Sequence, residues 1–230
     1  MTGRDAKMRY KRVGILMGGP SSEREISIKS GKAVCNALRN KNINCIPIEL
    51  IKGQNTNGYR KIVSDTIISK DIDVAFIALH GEFGEDGTVQ ELLEELNIPY
   101  TGSRPGASRL AMDKIMAKHI FRSKNIPVAR DEVLAKNDLK ARDYAELYFK
   151  GLSPDLVVKP CSGGSSIGLN IVSTKPEFYE AVKDAFKYSD KVIIEKYIPG
   201  REITVGIIED KTLPIVEIVP KRKFFDFTAK

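Results

Sequence analysis

A chain of 230 residues with 42% hydrophobic content can bury a sizeable core in one to two domains. No apolar run approaches the ~20 residues of a membrane span, and residues 1–12 lack the apolar segment of a secretory signal, so a cytoplasmic protein without membrane partners is expected. The formal charge of +7 is interspersed with acidic residues and only 7% of the chain is aromatic, which argues against nucleic acid, while Arg4, Lys7, Arg9, Lys11 and Arg12 crowd into what reads as a solvated N-terminal tail.

The first apolar strand, Arg12 to Met17, enters Gly18-Gly19-Pro20-Ser21. Ser22-Glu23-Arg24-Glu25 then has capping-box spacing for a helix to about Asn40. Ile43 to Leu50 and Asp73 to Leu79 read as further buried strands, and Thr88-Val89-Gln90-Glu91 as a second capping box opening a helix to about Leu96. Alternation of this kind predicts a parallel sheet with helices on its faces. Functional loops lie beyond the carboxyl ends of such strands, here Gly18 to Glu23 and His80 to Gly87.

After Pro105-Gly106 the pattern changes to a helix from about Ser108 to Lys124, a strand near Val128 to Leu134 and a helix near Asp138 to Lys150. The strand Asp155 to Lys159 runs into a glycine loop, followed by a strand near Leu169 to Ser173 and a helix opened by Thr174-Lys175-Pro176-Glu177. From Lys191 onward, Val192 to Ile198, Glu202 to Ile208 and Leu213 to Val219 read as antiparallel strands. The predicted fold is α/β: a parallel domain over 1–105, a central α+β part over 106–190 holding the glycine loop, and the start of a further part over 191–230.

The glycine loop is the most telling stretch. In Val158-Lys159-Pro160-Cys161-Ser162-Gly163-Gly164-Ser165-Ser166-Ile167-Gly168, glycines let backbone N–H groups converge on an anion, serines add hydroxyl donors, and Lys159 supplies a point charge for phosphate. An ordinary flexible turn is the plain alternative. Neither the Walker pattern nor G-x-G-x-x-G spacing is present, so a nucleotide would bind by a different architecture. The cysteines Cys35, Cys45 and Cys161 lack C-x-x-C spacing and read as free thiols, with Cys161, inside the loop, the most accessible.

An ordered series of blocks extends these signals: Gly18-Gly19-Pro20-Ser21-Ser22-Glu23-Arg24-Glu25-Ile26-Ser27, Leu79-His80-Gly81-Glu82-Phe83-Gly84-Glu85-Asp86-Gly87-Thr88, Tyr100-Thr101-Gly102-Ser103 and Met112-Asp113-Lys114. The glycine loop, Glu195-Lys196-Tyr197, Gly200-Arg201-Glu202 and Phe225-Asp226-Phe227-Thr228-Ala229-Lys230 complete it. The series resembles the D-alanine:D-alanine ligases of the ATP-grasp superfamily from Val13 to Lys230. The resemblance implies a pre-ATP-grasp domain followed by an ATP-grasp domain incomplete at its C-terminal end. It also implies an enzyme that phosphorylates one D-alanine with ATP and couples it to a second for peptidoglycan synthesis.

The same resemblance assigns residues. Glu23 would pair with the ammonium of the first D-alanine, although a helix-terminus carboxylate explains it equally well. His80 would stand beside that substrate. Lys114 and Lys159 would contact nucleotide phosphate, Gly163, Gly164, Ser165 and Ser166 would wrap it, and Lys230 would close over the γ-phosphate. Glu195, Lys196, Tyr197 and Ile198 would hydrogen-bond adenine through the backbone, and Glu202 would hold ribose. The Mg²⁺ ligands and the catalytic arginine of the family are expected in a segment beyond Lys230, with no metal ligand assigned within the chain. On that expectation the chain is a fragment inactive alone. D-lactate or D-serine as second substrate, or a non-catalytic nucleotide-binding module, stand as alternatives, and the family suggests a homodimer.

Overall fold

The computed structural model describes residues 12–53, 56–136 and 155–219, and the chain divides into two compact units, Met1–Met112 and Asp113–Lys230. The N-terminal tail through Lys11, the helix expected near 138–150 and the final block with Lys230 lie outside the described residues. Arg12, grouped above with the tail, is anchored: its guanidinium is 2.6 Å from Asp71 and its amide donates to Asp73 at 2.7 Å.

The first unit runs β1 (Val13–Gly18), α1 (Arg24–Arg39), β2 (Cys45–Leu50), α2 (Asn57–Ser69), β3 (Val74–Ile77), α3 (Thr88–Glu95) and α4 (Pro105–Met112). Its strands pair in parallel in the order β2-β1-β3, with Val13 opposite both Cys45 and Val74. Strand alternation sends Ile15 and Met17 to one face, against Cys35 of α1. It sends Leu16 to the other, against Tyr59, Val63 and Ile67 of α2 and Leu93 of α3. The central strand is therefore buried on both sides, as its unbroken apolar run requires.

Neither capping box predicted here forms. The residue capping α1 is Glu23, without a side-chain bond, and it is the Ser21 hydroxyl that accepts from the Glu23 amide at 3.1 Å. At α3 the cap is Gly87, and the Asp86 carboxylate accepts from the amides of Thr88 and Phe83 at 2.9 and 2.8 Å. In both turns the side chain that bonds the local amides comes from a residue upstream of the expected cap.

The helix predicted from Ser108 to Lys124 is two helices. Asp113, with ψ 104°, leaves the helical region and caps α5 (Lys114–Ser123), its Oδ1 accepting from Ile115 and Met116 at 2.9 and 3.1 Å. The boundary between units accordingly falls after Met112, not near residue 105, because α4 stays with the first unit through Arg109, 2.8 Å from Glu91.

The second unit continues with β4 (Asp131–Ala135), β5 (Leu156–Pro160), β6 (Asn170–Val172), α6 (Lys175–Ala185) and β7 (Lys191–Lys196). These strands form an antiparallel sheet in the order β4-β7-β5-β6. The helix expected from Thr174-Lys175-Pro176-Glu177 forms, and a capping box opens it: the Thr174 hydroxyl accepts from Glu177 N at 3.4 Å, and the Glu177 carboxylate accepts from Thr174 N at 3.1 Å. Phe178, Ala181, Val182 and Ala185 of α6 then pack on Val158, Val192 and Ile194.

β7, grouped by the sequence with the strands that follow it, is instead interior to the glycine-loop sheet, so no break falls at residue 190. Burial of all four residues from Val192 to Glu195 reflects neighbours on both edges and both faces. β8 (Glu202–Ile208) and β9 (Lys211–Ile218) form a separate two-stranded ribbon, with Ile203, Val205, Ile215 and Val216 exposed. Among the described residues no helix is long and apolar enough to cross a membrane.

Candidate functional site

In the first unit, β1 is flanked by the two other strands, so chain order reverses at its carboxyl end and opens a crevice between the loops after β1 and β3. Ser27 fixes both loop origins: its fully buried hydroxyl accepts from Gly18 N and donates to Ala78 O, each at 2.8 Å. Glu23 follows the first loop and His80 begins the second.

The two meet over Gly81. A Cβ built on this residue, at φ +68°, would lie 2.5 Å from Ser21 Oγ and 2.9 Å from Glu23 Oε2. Only glycine lets the backbone pass so close under a carboxylate. The His80 ring is held from both sides, Nε2 3.0 Å from Ser30 Oγ and Nδ1 3.4 Å from Glu85 Oε1. Glu85 also accepts from Gly81 N at 3.0 Å. The Glu23 carboxylate thus lies against the residue that follows His80, at the ends of the strands. Beside them a cavity of about 410 Å³ is lined by His80, Glu85, Gln90, Thr101 and Ser108.

In the second unit, the glycine loop follows β5. Gly163 at φ +91° and Gly168 at +68° take left-handed conformations, joined by Ser165 at +53° and Ser166 at +59°. Left-handed serines cost roughly 1 kcal/mol each or more, and a turn that retains them holds its amides in an unusual orientation. A Cβ at Gly163 or Gly164 would meet nothing within 4 Å, so that part of the loop is open to a ligand.

Lys114 reaches this loop. Its ammonium donates to Gly163 O at 2.7 Å and its amide to Cys161 O at 3.0 Å. Burial, and then the neighbouring charge of Lys159, push the Lys114 ammonium below the usual lysine range. Two cations therefore converge where an anion would relieve their repulsion. Lys159 Nζ is 2.5 Å from Glu195 Oε2.

The side chain of Glu195, for which the sequence suggested only a backbone role, is itself engaged. The residue is buried, and its carboxylate takes both Lys159 and Lys118. Lys118, missed in the sequence, is equally buried, and its spacing of four from Lys114 on α5 was the only available signal. The amides of Lys196 and Tyr197 donate to Arg130 O and Asp155 O at 3.1 and 3.0 Å, within the sheet. Ile198, past the strand, is 64% exposed, and Glu202 opens β8 on the surface.

Cys161 is not the accessible thiol expected. It is 7% exposed, between Cys35 at 3% and Cys45 at 8%, because it ends a buried strand and its Sγ packs 3.9 Å from Asp113. Burial, followed by the Asp113 charge, raises its pKa.

Matches to known proteins run along the chain. The family model described as D-ala D-ala ligase N-terminus matches residues 12–62 and 51–103, and that described as D-ala D-ala ligase C-terminus matches 120–230. The chain is 45% identical over 224 residues to a D-alanine–D-alanine ligase of Geotalea uraniireducens, covering 97% of this chain and 68% of that protein. A crystal structure of D-alanine–D-alanine ligase from Bacillus anthracis is similar with a TM-score of 0.76 and 42% identity, covering 95% of this chain and 68% of that one. A structure from the same organism complexed with ATP gives 0.75 and 38%, covering 94% and 68%.

Sheet order, glycine loop and structural likeness together define an α/β protein of the ATP-grasp fold. The chain belongs to the D-alanine–D-alanine ligase family, whose members are ATP-dependent ligases. It spans about two thirds of the length of the relatives it matches.

Proposed function

We propose that this chain carries the amino-acid and ATP sites of a ligase that joins two D-alanines for peptidoglycan synthesis in the cytoplasm, working as a homodimer. The observation that supports it most is the convergence of Lys114 and Lys159 on an open, left-handed glycine loop. Such a loop suits a triphosphate: the cations offset charge on the transferring phosphoryl group, while the amides of Gly163 and Gly164 and the hydroxyls of Ser165 and Ser166 orient it. Ile198 and Glu202 would face adenine and ribose.

The chemistry begins when a carboxylate oxygen of the first D-alanine attacks the γ-phosphorus of ATP, releasing ADP. The amine of the second D-alanine then attacks the acyl carbon, loses a proton and expels phosphate. Glu23 would hold the first D-alanine by its ammonium, and His80, steadied by Ser30 and Glu85, would stand at its carboxylate. ATP in this family is expected to arrive with Mg²⁺. Among the described residues no group of three or more His, Cys, Asp or Glu could hold a metal ion.

Calorimetric titration of the chain with ATP tests the nucleotide site. Saturable binding is expected, weakened about tenfold by Lys159→Met; absence of binding removes the proposal. D-alanyl-D-alanine formation, measured on the chain extended to the length of its relatives, tests the reaction.

A further inference from the structure

Resting on the nucleotide site proposed above, we infer that Lys118 is a positioning residue that holds Glu195 neutralised, so that the Glu195 carboxylate does not cancel the charge Lys159 offers to phosphate. The cluster lies on one face of the β4-β7-β5-β6 sheet. In the β4–β7 register Asp131 stands directly opposite Glu195, which places two carboxylates side by side. Like charges so placed repel.

Both are nearly sealed, with side chains 6% and 9% exposed, and the Lys118 ammonium is inserted between them. It contacts Glu195 Oε1, stands 3.1 Å from Asp131 Oδ1 and donates to Ala129 O at 2.9 Å, which occupies all three of its protons. Arg122 contacts the same Asp131 oxygen. The other Glu195 oxygen holds Lys159.

Two carboxylates are thus shared by three cations, Lys118, Lys159 and Arg122, which leaves one positive charge in excess. Lys118 and Arg122 are both turned to the carboxylates, and Lys159, whose side chain is 20% exposed, is the member at the start of the glycine loop. The excess is delivered there. Without Lys118 the remaining charges would balance, and Glu195 would hold Lys159 as a closed pair.

Opposite signs on two substitutions separate this role from simple support of the fold. Lys118→Met should weaken ATP binding about tenfold while adenosine, which lacks phosphate, binds within about twofold of the parent chain. Glu195→Gln should leave ATP binding equal or tighter, and the Lys118→Met/Glu195→Gln double variant should return to within about threefold of the parent. Lys118→Arg should rescue. Calorimetric titration with ATP and with adenosine reads each outcome.

Equal loss of ATP and adenosine affinity in Lys118→Met would overturn the inference, as would weaker ATP binding in Glu195→Gln, which stays decisive even if Lys118→Met does not fold. Lys159→Met serves as reference. If it leaves ATP affinity unchanged, the phosphate role of Lys159 fails. If it weakens binding while Lys118→Met does not, the inference alone fails.

Discussion

Lys114 holds the carbonyl of Gly163 at 2.7 Å, tying the first turn of α5 to a loop 49 residues further along the chain. The tie is aimed by the backbone: Asp113 ends α4, turns the chain and caps α5, and the next amide donates to Cys161 O. Helix start and glycine loop are therefore set by one residue.

Replacing Asp113 with alanine should cost about 1 kcal/mol from the lost cap. ATP affinity should fall further than this stability loss accounts for, because Lys114 loses its aim. Urea denaturation and ATP titration of the same variant measure both; a destabilised protein with parental ATP affinity would show that the cap does not orient Lys114.

Gly81→Ala should be costlier than an ordinary loop substitution. The new methyl would face Ser21 Oγ and Glu23 Oε2 at separations no Cβ tolerates, on a backbone at φ +68°. A loss of about 1–3 kcal/mol by urea denaturation is expected, together with loss of D-alanine binding by titration.

Much of this was legible in the sequence. Unbroken apolar runs marked β1 as a buried strand and β3 as a strand of the same parallel sheet, and Thr174 with Glu177 announced α6 correctly. What escaped was tertiary. Asp113 looks like any helical aspartate until its φ and ψ are known, and Lys118 like a solvated lysine until two carboxylates close over it. β7 was misgrouped because strand pairing between residues 131 and 195 leaves no mark in local pattern.

The three thiols should label slowly in the native protein. All are buried, and burial raises the pKa of Cys35 and Cys161, so little thiolate is present near neutral pH and the labelling rate should climb as pH rises. Ellman titration should be at least about tenfold slower than in 8 M urea. Rapid labelling of one thiol, mapped to Cys161, would contradict its burial.

Glu91 predicts an acid response. Hydrogen bonds from Arg109 and then Arg60 hold its carboxyl below the usual range, so the folded protein keeps it ionised more readily than the unfolded chain. That contribution is complete above the unfolded pKa and is lost as pH falls through the folded one. Since the side chain is 41% exposed, solvent screening keeps it small. Thermal melts from pH 6 to 3 should show Glu91→Gln less stable than the parent at the upper end and the two curves converging at the lower; parallel curves would remove the assignment.

The single hydroxyl of Ser27 has a dynamic corollary. Because it bonds the backbone at the outlet of β1 and just past β3 at once, neither of the loops that bear Glu23 and His80 can shift its root without dragging the other or stranding a buried peptide group. Any displacement of one root is therefore passed to the other, with an oxygen atom as the coupling pin.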